Sequence, residues 1–250
     1  MTARHTNNDT LRQEREKLHA MLLSSVSHDL KTPLACIIGS LEIYQQLKAT
    51  LSKEHKDTLI NTAIEEARRL DSFITNILDM STLESGVRFT FESLDIGQLV
   101  RQCALRMEPA LRQHEVVLDL PSQVMAEVSA SWISRAVDLL LDNAAKYTAA
   151  GTKVLVAVSG DGFSCRIAVR DHGPGIPNGM KAGLFLKSTR TAQRDIKTAS
   201  TGLGLPICKF IAEAHGGAIR VDSPAEGGGA AFTITLPLTQ EDVKAKKRPA

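Results

Sequence analysis

The sequence predicts an α+β chain: a helical hairpin that pairs with a second copy into a four-helix bundle, followed by an α/β sandwich. Three observations carry this. Apolar residues recur at spacings of three and four up to about Leu83, the period then changes to two, and helical spacing returns only in blocks between the alternating segments. The first half is read from Leu18. Leu30, Leu34, Ile37, Leu41 and Tyr44 form one apolar stripe, and Ile60, Ala63, Ala67, Leu70, Ile74 and Ile77 form another. The connector over residues 49–55 is short and polar, as antiparallel neighbours require. Two helices enclose no core by themselves, so the stripes predict a homodimer.

After the LESG at 83–86, residues 116–120, 154–159, 165–171, 218–223 and 231–238 alternate as strands, and 96–112, 131–147 and 203–215 have helical spacing. With no regular strand–helix–strand order, the prediction is one sheet covered by helices on one face. The domain plan is a lead segment over 1–17, a bundle domain over 18–86, a second domain over 92–240 and a basic tail over 241–250.

Composition excludes several classes. The 250 residues carry 30 Lys and Arg against 28 Asp and Glu, a net charge of +2, so no basic field argues for nucleic acid. Cys36, Cys103, Cys165 and Cys208 show no metal-ligand spacing, and no secretory signal precedes them, so reduced thiols in a cytoplasm are expected. The longest apolar runs fall well short of the roughly 18 residues a membrane helix needs.

Three stretches of the second half carry chemistry. In DNAAKYT (142–148), Asn143, Lys146 and Tyr147 share a helix face; the amide suits Mg²⁺ and the lysine suits phosphate, although the stretch alone is equally an ordinary polar helix end. In DHGPGIP (171–177), Asp171 ends a strand before a turn shaped by Gly173 and Gly175. A carboxylate there can accept the exocyclic amine of adenine, where guanine would present an acceptor. In STGLGL (200–205), Gly202 and Gly204 open a helix whose free N–H groups form an anion site.

Together and in this order, these stretches resemble the catalytic core of sensor histidine kinases. SHDLKTP (27–33) resembles the H box, DNAAKYT the N box, DHGPGIP the G1 box, LFLKSTR (184–190) the F box and TGLGL (201–205) the G2 box; MLLSSVSHDLKTPL is most similar to kinases of the KdpD type. The resemblance implies a dimerisation and histidine phosphotransfer domain, then an ATP-binding domain of Bergerat fold. It makes His28 the phosphoacceptor, which Asp29 serves as proton acceptor, while Thr32 positions water when phosphate is removed from a response-regulator receiver domain. Lys146, Lys187 and Arg190 become phosphate clamps and Asn143 the Mg²⁺ ligand. Tyr147, Asp171, Gly173, Gly175, Thr201, Gly202, Leu203, Gly204 and Leu205 complete the ATP site. Pro33, which lacks the N–H for the Asp29 carbonyl, is expected to bend the helix at His28. The segment between Pro177 and Ser200 reads as a lid.

Three positions depart from the family: Leu139 stands where the N box opens with Asn, Ser188 replaces the second F-box aromatic, and Ser200 replaces the first G2 glycine. They keep open an alternative, a phosphotransfer scaffold or pseudokinase with weak or lost ATP use. An ATPase acting through water needs a carboxylate at position 139, which Leu139 does not supply. His172 and Cys208 read as packing or solvent positions. A chain that starts almost at the bundle helix is expected to be the cytoplasmic part of a longer receptor or to take its signal from a partner.

Overall fold

The computed structural model describes residues 29–121, 123–181, 183–186, 202–223 and 228–239. The chain divides into two compact units, Met1–Leu78 and Asp79–Ala250.

In the first unit, α1 (29–47) runs as helix through Pro33, and a turn at 48–50 leads to α2 (Lys53–Glu84), whose last turns belong to the second unit. Ser52 starts α2 by accepting the N–H of His55 on its hydroxyl at 3.3 Å. The stripes read from sequence split between two faces. Ala63 of the stripes is buried within the hairpin, whereas Leu34, Leu41, Ile60 and Ile74 are exposed; outside the stripes, Phe73 is buried and Ile38, Ile64 and Leu78 are exposed.

The second unit contains β1 (Glu92–Asp95), α3 (Ile96–Arg106), α4 (Glu108–Leu111), β2 (Glu115–Asp119), β3 (Met125–Val128), α5 (Ala130–Tyr147), β4 (Lys153–Gly160), β5 (Ser164–Arg170), α6 (Asn178–Lys181), α7 (Gly204–Ala214), β6 (Ala218–Asp222) and β7 (Ala231–Pro237). Five strands form one sheet in the order β2-β4-β5-β7-β6; β2 and β4 are parallel and the remaining pairs antiparallel. β1 and β3 form a separate antiparallel ribbon.

Alternation decides which face of the sheet is covered. Val154, Val156 and Val158 of β4, Cys165, Ile167 and Val169 of β5, and Phe232, Ile234 and Leu236 of β7 are buried together with Val100 of α3, Leu140 of α5 and Ile211 of α7. The intervening residues, including Leu155, Ala157, Arg166 and Thr233, remain half-buried or exposed, so the helices lie on one face. Each fully buried Leu, Ile or Phe in such a layer contributes about 1.5–3 kcal/mol. β4 begins and β5 ends at the same end of the sheet's strands, and Asp171 follows directly there.

Candidate functional site

Helix α5 brings the glycine stretches together. At its C-terminal end the Tyr147 carbonyl approaches Gly173 so closely that a β-carbon on Gly173 would stand 2.7 Å from the oxygen. Eight residues earlier, Leu139 Cδ2 lies 3.6 Å from where a β-carbon of Gly204 would stand. Asn143 sits between these two contacts on the same helix. DNAAKYT, DHGPG and GLGL, far apart in sequence, thus meet along one helix.

Asp171 is the buried charge of this region, 7% exposed. Its Oδ1 accepts the N–H of Gly173 at 2.8 Å and the N–H of Ala230 at 3.1 Å. Neither bond uses Oδ2, which is left without a described hydrogen-bond partner. A buried carboxylate with one oxygen fixed by backbone donors and the other unengaged is prepared to accept a further donor.

The turn after Asp171 is braced from a distant segment. Gly175 has φ +76°, and a β-carbon there would meet Ser223 Oγ at 2.9 Å. Ser223 accepts the N–H of Ile176 at 3.2 Å and donates to the Gly229 carbonyl at 2.8 Å. Gly229, at φ +81°, backs onto Asp171, whose carbonyl oxygen would lie 2.1 Å from an added β-carbon. Sequence reasoning missed Ser223, Gly229 and Ala230. The glycine run at 227–229 was the available signal, but nothing in its spacing points to Asp171.

Asn143 is half-buried, and Lys146 and Tyr147 are exposed. The Lys146 ammonium is paired with Asp142 one turn back on its own helix, so contact with a phosphate would require it to leave that partner. Gly202, at φ +67°, precedes α7; Leu203 accepts the Ile207 N–H at 3.0 Å, and Leu205 packs on the core. α7 therefore starts with Pro206 in its first turn, where no donor is lost. In the first unit, Asp29 is half-buried and Thr32 exposed on α1. His28, Lys187, Arg190 and Thr201 lie outside the described residues.

Leu139 is 5% exposed and belongs to the core, so the position that departs from the N-box pattern makes an apolar contact between α5 and the start of α7. His172 lies at the surface, where its Nδ1 donates to the Lys153 carbonyl at 2.7 Å, and Cys208 is fully buried. Burial pushes the Cys165 and Cys208 thiols up to about 12, which removes both as thiolate nucleophiles.

No cluster of three His, Cys, Asp or Glu among the described residues could hold a metal alone. The half-buried Asn143 side chain carries an amide oxygen, a donor of the kind Mg²⁺ takes beside substrate phosphates. Among the described residues, no helix is long and apolar enough to cross a membrane.

Comparison with known proteins gives two family matches: His Kinase A (phospho-acceptor) domain over residues 19–86, and histidine kinase-, DNA gyrase B- and HSP90-like ATPase over residues 129–240. Sensor protein KdpD of Escherichia coli is 32% identical over 228 residues, 90% of this chain and 25% of the relative. The chain therefore spans about a quarter of that relative. Among solved structures, the mycobacterial sensor histidine kinase MprB is 30% identical with TM-score 0.52, covering 59% of this chain and 97% of the other. Full-length ShkA in complex with AMPPNP is 26% identical with TM-score 0.58, covering 87% of this chain and 45% of the other.

Proposed function

The chain belongs to the sensor histidine kinase family, and from that premise we propose that it is an ATP-dependent protein histidine kinase that phosphorylates His28 and passes the phosphoryl group to an aspartate of a response regulator. Residues 18–86 are assigned to dimerisation and phosphotransfer and 92–240 to ATP binding, with 1–17 as lead and 241–250 as tail. The observation that carries this reading is Asp171, buried, held through Oδ1 by two backbone N–H groups and open at Oδ2. In this reading Oδ2 takes the adenine amine, and the glycines at 173 and 175 let the turn pack against Tyr147 and Ser223 so that the carboxylate is held in place.

The remaining roles follow from chemistry. Asn143 supplies an oxygen to Mg²⁺, which neutralises phosphate charge when bound. Lys146, exchanging Asp142 for phosphate, joins Lys187 and Arg190 around the triphosphate, and the backbone from Thr201 to Leu205 offers N–H groups at the start of α7. A ring nitrogen of His28 attacks the γ-phosphorus, the bond to the β,γ-bridging oxygen breaks, ADP leaves, and the ring proton passes to Asp29. Thr32, on the same helix, orients water when the domain removes phosphate from the regulator. A homodimer through the exposed apolar faces of α1 and α2, and a cytoplasmic location for this part of the protein, complete the proposal.

One observation favours a second reading. Leu139 packs into the core beside Gly204, and an apolar side chain there contributes nothing to phosphate or metal, as a scaffold with weak or lost ATP use requires. Calorimetric titration with ATP, with and without Mg²⁺, tests the site. Binding strengthened by Mg²⁺ and weakened by Asn143→Ala supports the kinase assignment, and no binding removes it.

A further inference from the structure

His215 closes α7 and is fully buried, at 0% exposure. Its ring lies where three parts of the second unit meet. Nδ1 is 2.7 Å from the Ile211 carbonyl on α7, and Nε2 is 3.1 Å from the backbone nitrogen of Ser129, directly before α5. Phe89 and Phe91, from the segment over residues 85–91 between α2 and β1, approach the ring edge-on at centroid distances of 5.2 Å each.

These contacts fix the proton. A carbonyl only accepts, so Nδ1 carries the hydrogen; a backbone N–H only donates, so Nε2 carries none. The ring is neutral, in one tautomer, with both nitrogens satisfied. A proton at Nε2 would face the Ser129 N–H donor to donor, so that hydrogen bond would be lost and a charge would be buried in its place.

The charged groups of the surrounding elements are engaged elsewhere, exposed or half-buried. On α7, Lys209 pairs with Glu213; on α5, Arg135 pairs with Asp79, Asp138 with Arg106 and Asp142 with Lys146; Arg88, between Phe89 and α2, and Glu92, next to Phe91, are exposed, Asp95 of β1 accepts the Gly97 N–H, and Glu127 of β3, two residues before Ser129, is half-buried. Burial pushes the His215 pKa below the usual histidine value, with the hydrogen bond to Ile211 acting the other way, and no charged neighbour acts on it.

We propose that His215 is an acid-operated latch: neutral, it ties the 85–91 segment to the start of α5 and the end of α7, and one proton taken up at Nε2 releases that segment while the sheet and its helices stand. The sign follows from linkage. The released ring takes up a proton more readily than the latched one, so the latched state is fully favoured above the ordinary histidine pKa of about 6.5 and loses ground as pH falls below it.

The chain contains one tryptophan, Trp132 on α5, and its ring lies 5.9 Å from Phe89. Its emission in the full chain, followed from about pH 8 to 5 around the ordinary histidine value, reports the latch without nucleotide. The wild type is expected to show a single red shift with its midpoint below the ordinary histidine value, at unchanged far-ultraviolet circular dichroism. His215→Gln retains an acceptor for the Ser129 N–H and takes up no proton, so its emission is expected to stay flat. Amide exchange of the wild type across the same range decides the matter independently of how the variant folds: faster exchange confined to 85–91 and its contacts supports the latch. A flat wild-type titration, the same transition in His215→Gln, or exchange that rises over the whole unit overturns it.

Discussion

Asp171 Oδ1 accepts the backbone N–H of Ala230 at 3.1 Å, joining the end of β5 to a loop 59 residues further along the chain. The same oxygen takes the Gly173 N–H, so the carboxylate has a structural half and a free half. Two substitutions separate them. Asp171→Asn keeps a carbonyl oxygen for both backbone donors and loses only the acceptor at Oδ2. It should fold normally and bind ATP roughly tenfold to hundredfold more weakly, the equivalent of about 1.5–3 kcal/mol for a charge-assisted hydrogen bond. Asp171→Ala should in addition lower the melting temperature. Calorimetry and thermal unfolding of the pair check this, and unchanged ATP affinity in Asp171→Asn would remove Asp171 from the site.

Gly173 is confined by the Tyr147 carbonyl, which belongs to the backbone and cannot swing aside as a side chain could. Gly173→Ala should therefore destabilise the second unit by about 1–3 kcal/mol and weaken nucleotide binding with it. Gly179→Ala, where nothing lies within 4 Å of an added β-carbon, serves as the neutral control. Equal melting temperatures for the two variants would contradict the close approach of α5 to the turn.

The exposed apolar positions of α1 and α2 predict a dimer of the full chain. Ile74 is 45% exposed, and Ile74→Glu would place a charge in the pairing surface, where an unpaired buried charge is strongly unfavourable. Light scattering should report monomer or a marked rise in dissociation constant, at unchanged helix content. A dimer as tight as the wild type would place the pairing surface elsewhere.

Asp29 and Thr32 should fail differently. Asp29→Asn, an amide in place of a proton acceptor, should slow autophosphorylation by roughly 10²–10⁴-fold, the range of general base catalysis. Thr32→Ala should leave that rate nearly intact and slow loss of phosphate from a phosphorylated regulator. Proportional loss of both activities in both variants would show that the two residues only support α1.

Long elements were legible because their periods are sustained: α5, α7 and the five strands of the main sheet begin and end within about two residues of the positions read from sequence. The four-residue strands β1 and β3 were not, since a segment that short shows too little alternation. The heptad stripe of α2 was correct as a period but mixed two faces, because Ala63 turns into the hairpin while Ile60 and Ile74 face outward. Asp171 was visible beside its glycines, whereas Ser223 and Gly229 reach the same turn only through the pairing of β6 with β7, which local spacing does not encode. His215 was hidden for a similar reason, its partners lying 86 residues away at Ser129 and further still at Phe89 and Phe91.

The measurement closest to the central claim is incubation of the chain with Mg²⁺ and ATP labelled at the γ-phosphate, followed by acid or base treatment of the separated protein. Phosphohistidine is labile to acid and stable to base. The account predicts label on the wild type that acid removes and base does not, absent from His28→Ala and strongly reduced in Asp171→Asn. Label that survives acid, or label undiminished in His28→Ala, would contradict it, and unlabelled protein that still binds nucleotide would assign the chain to the scaffold reading instead.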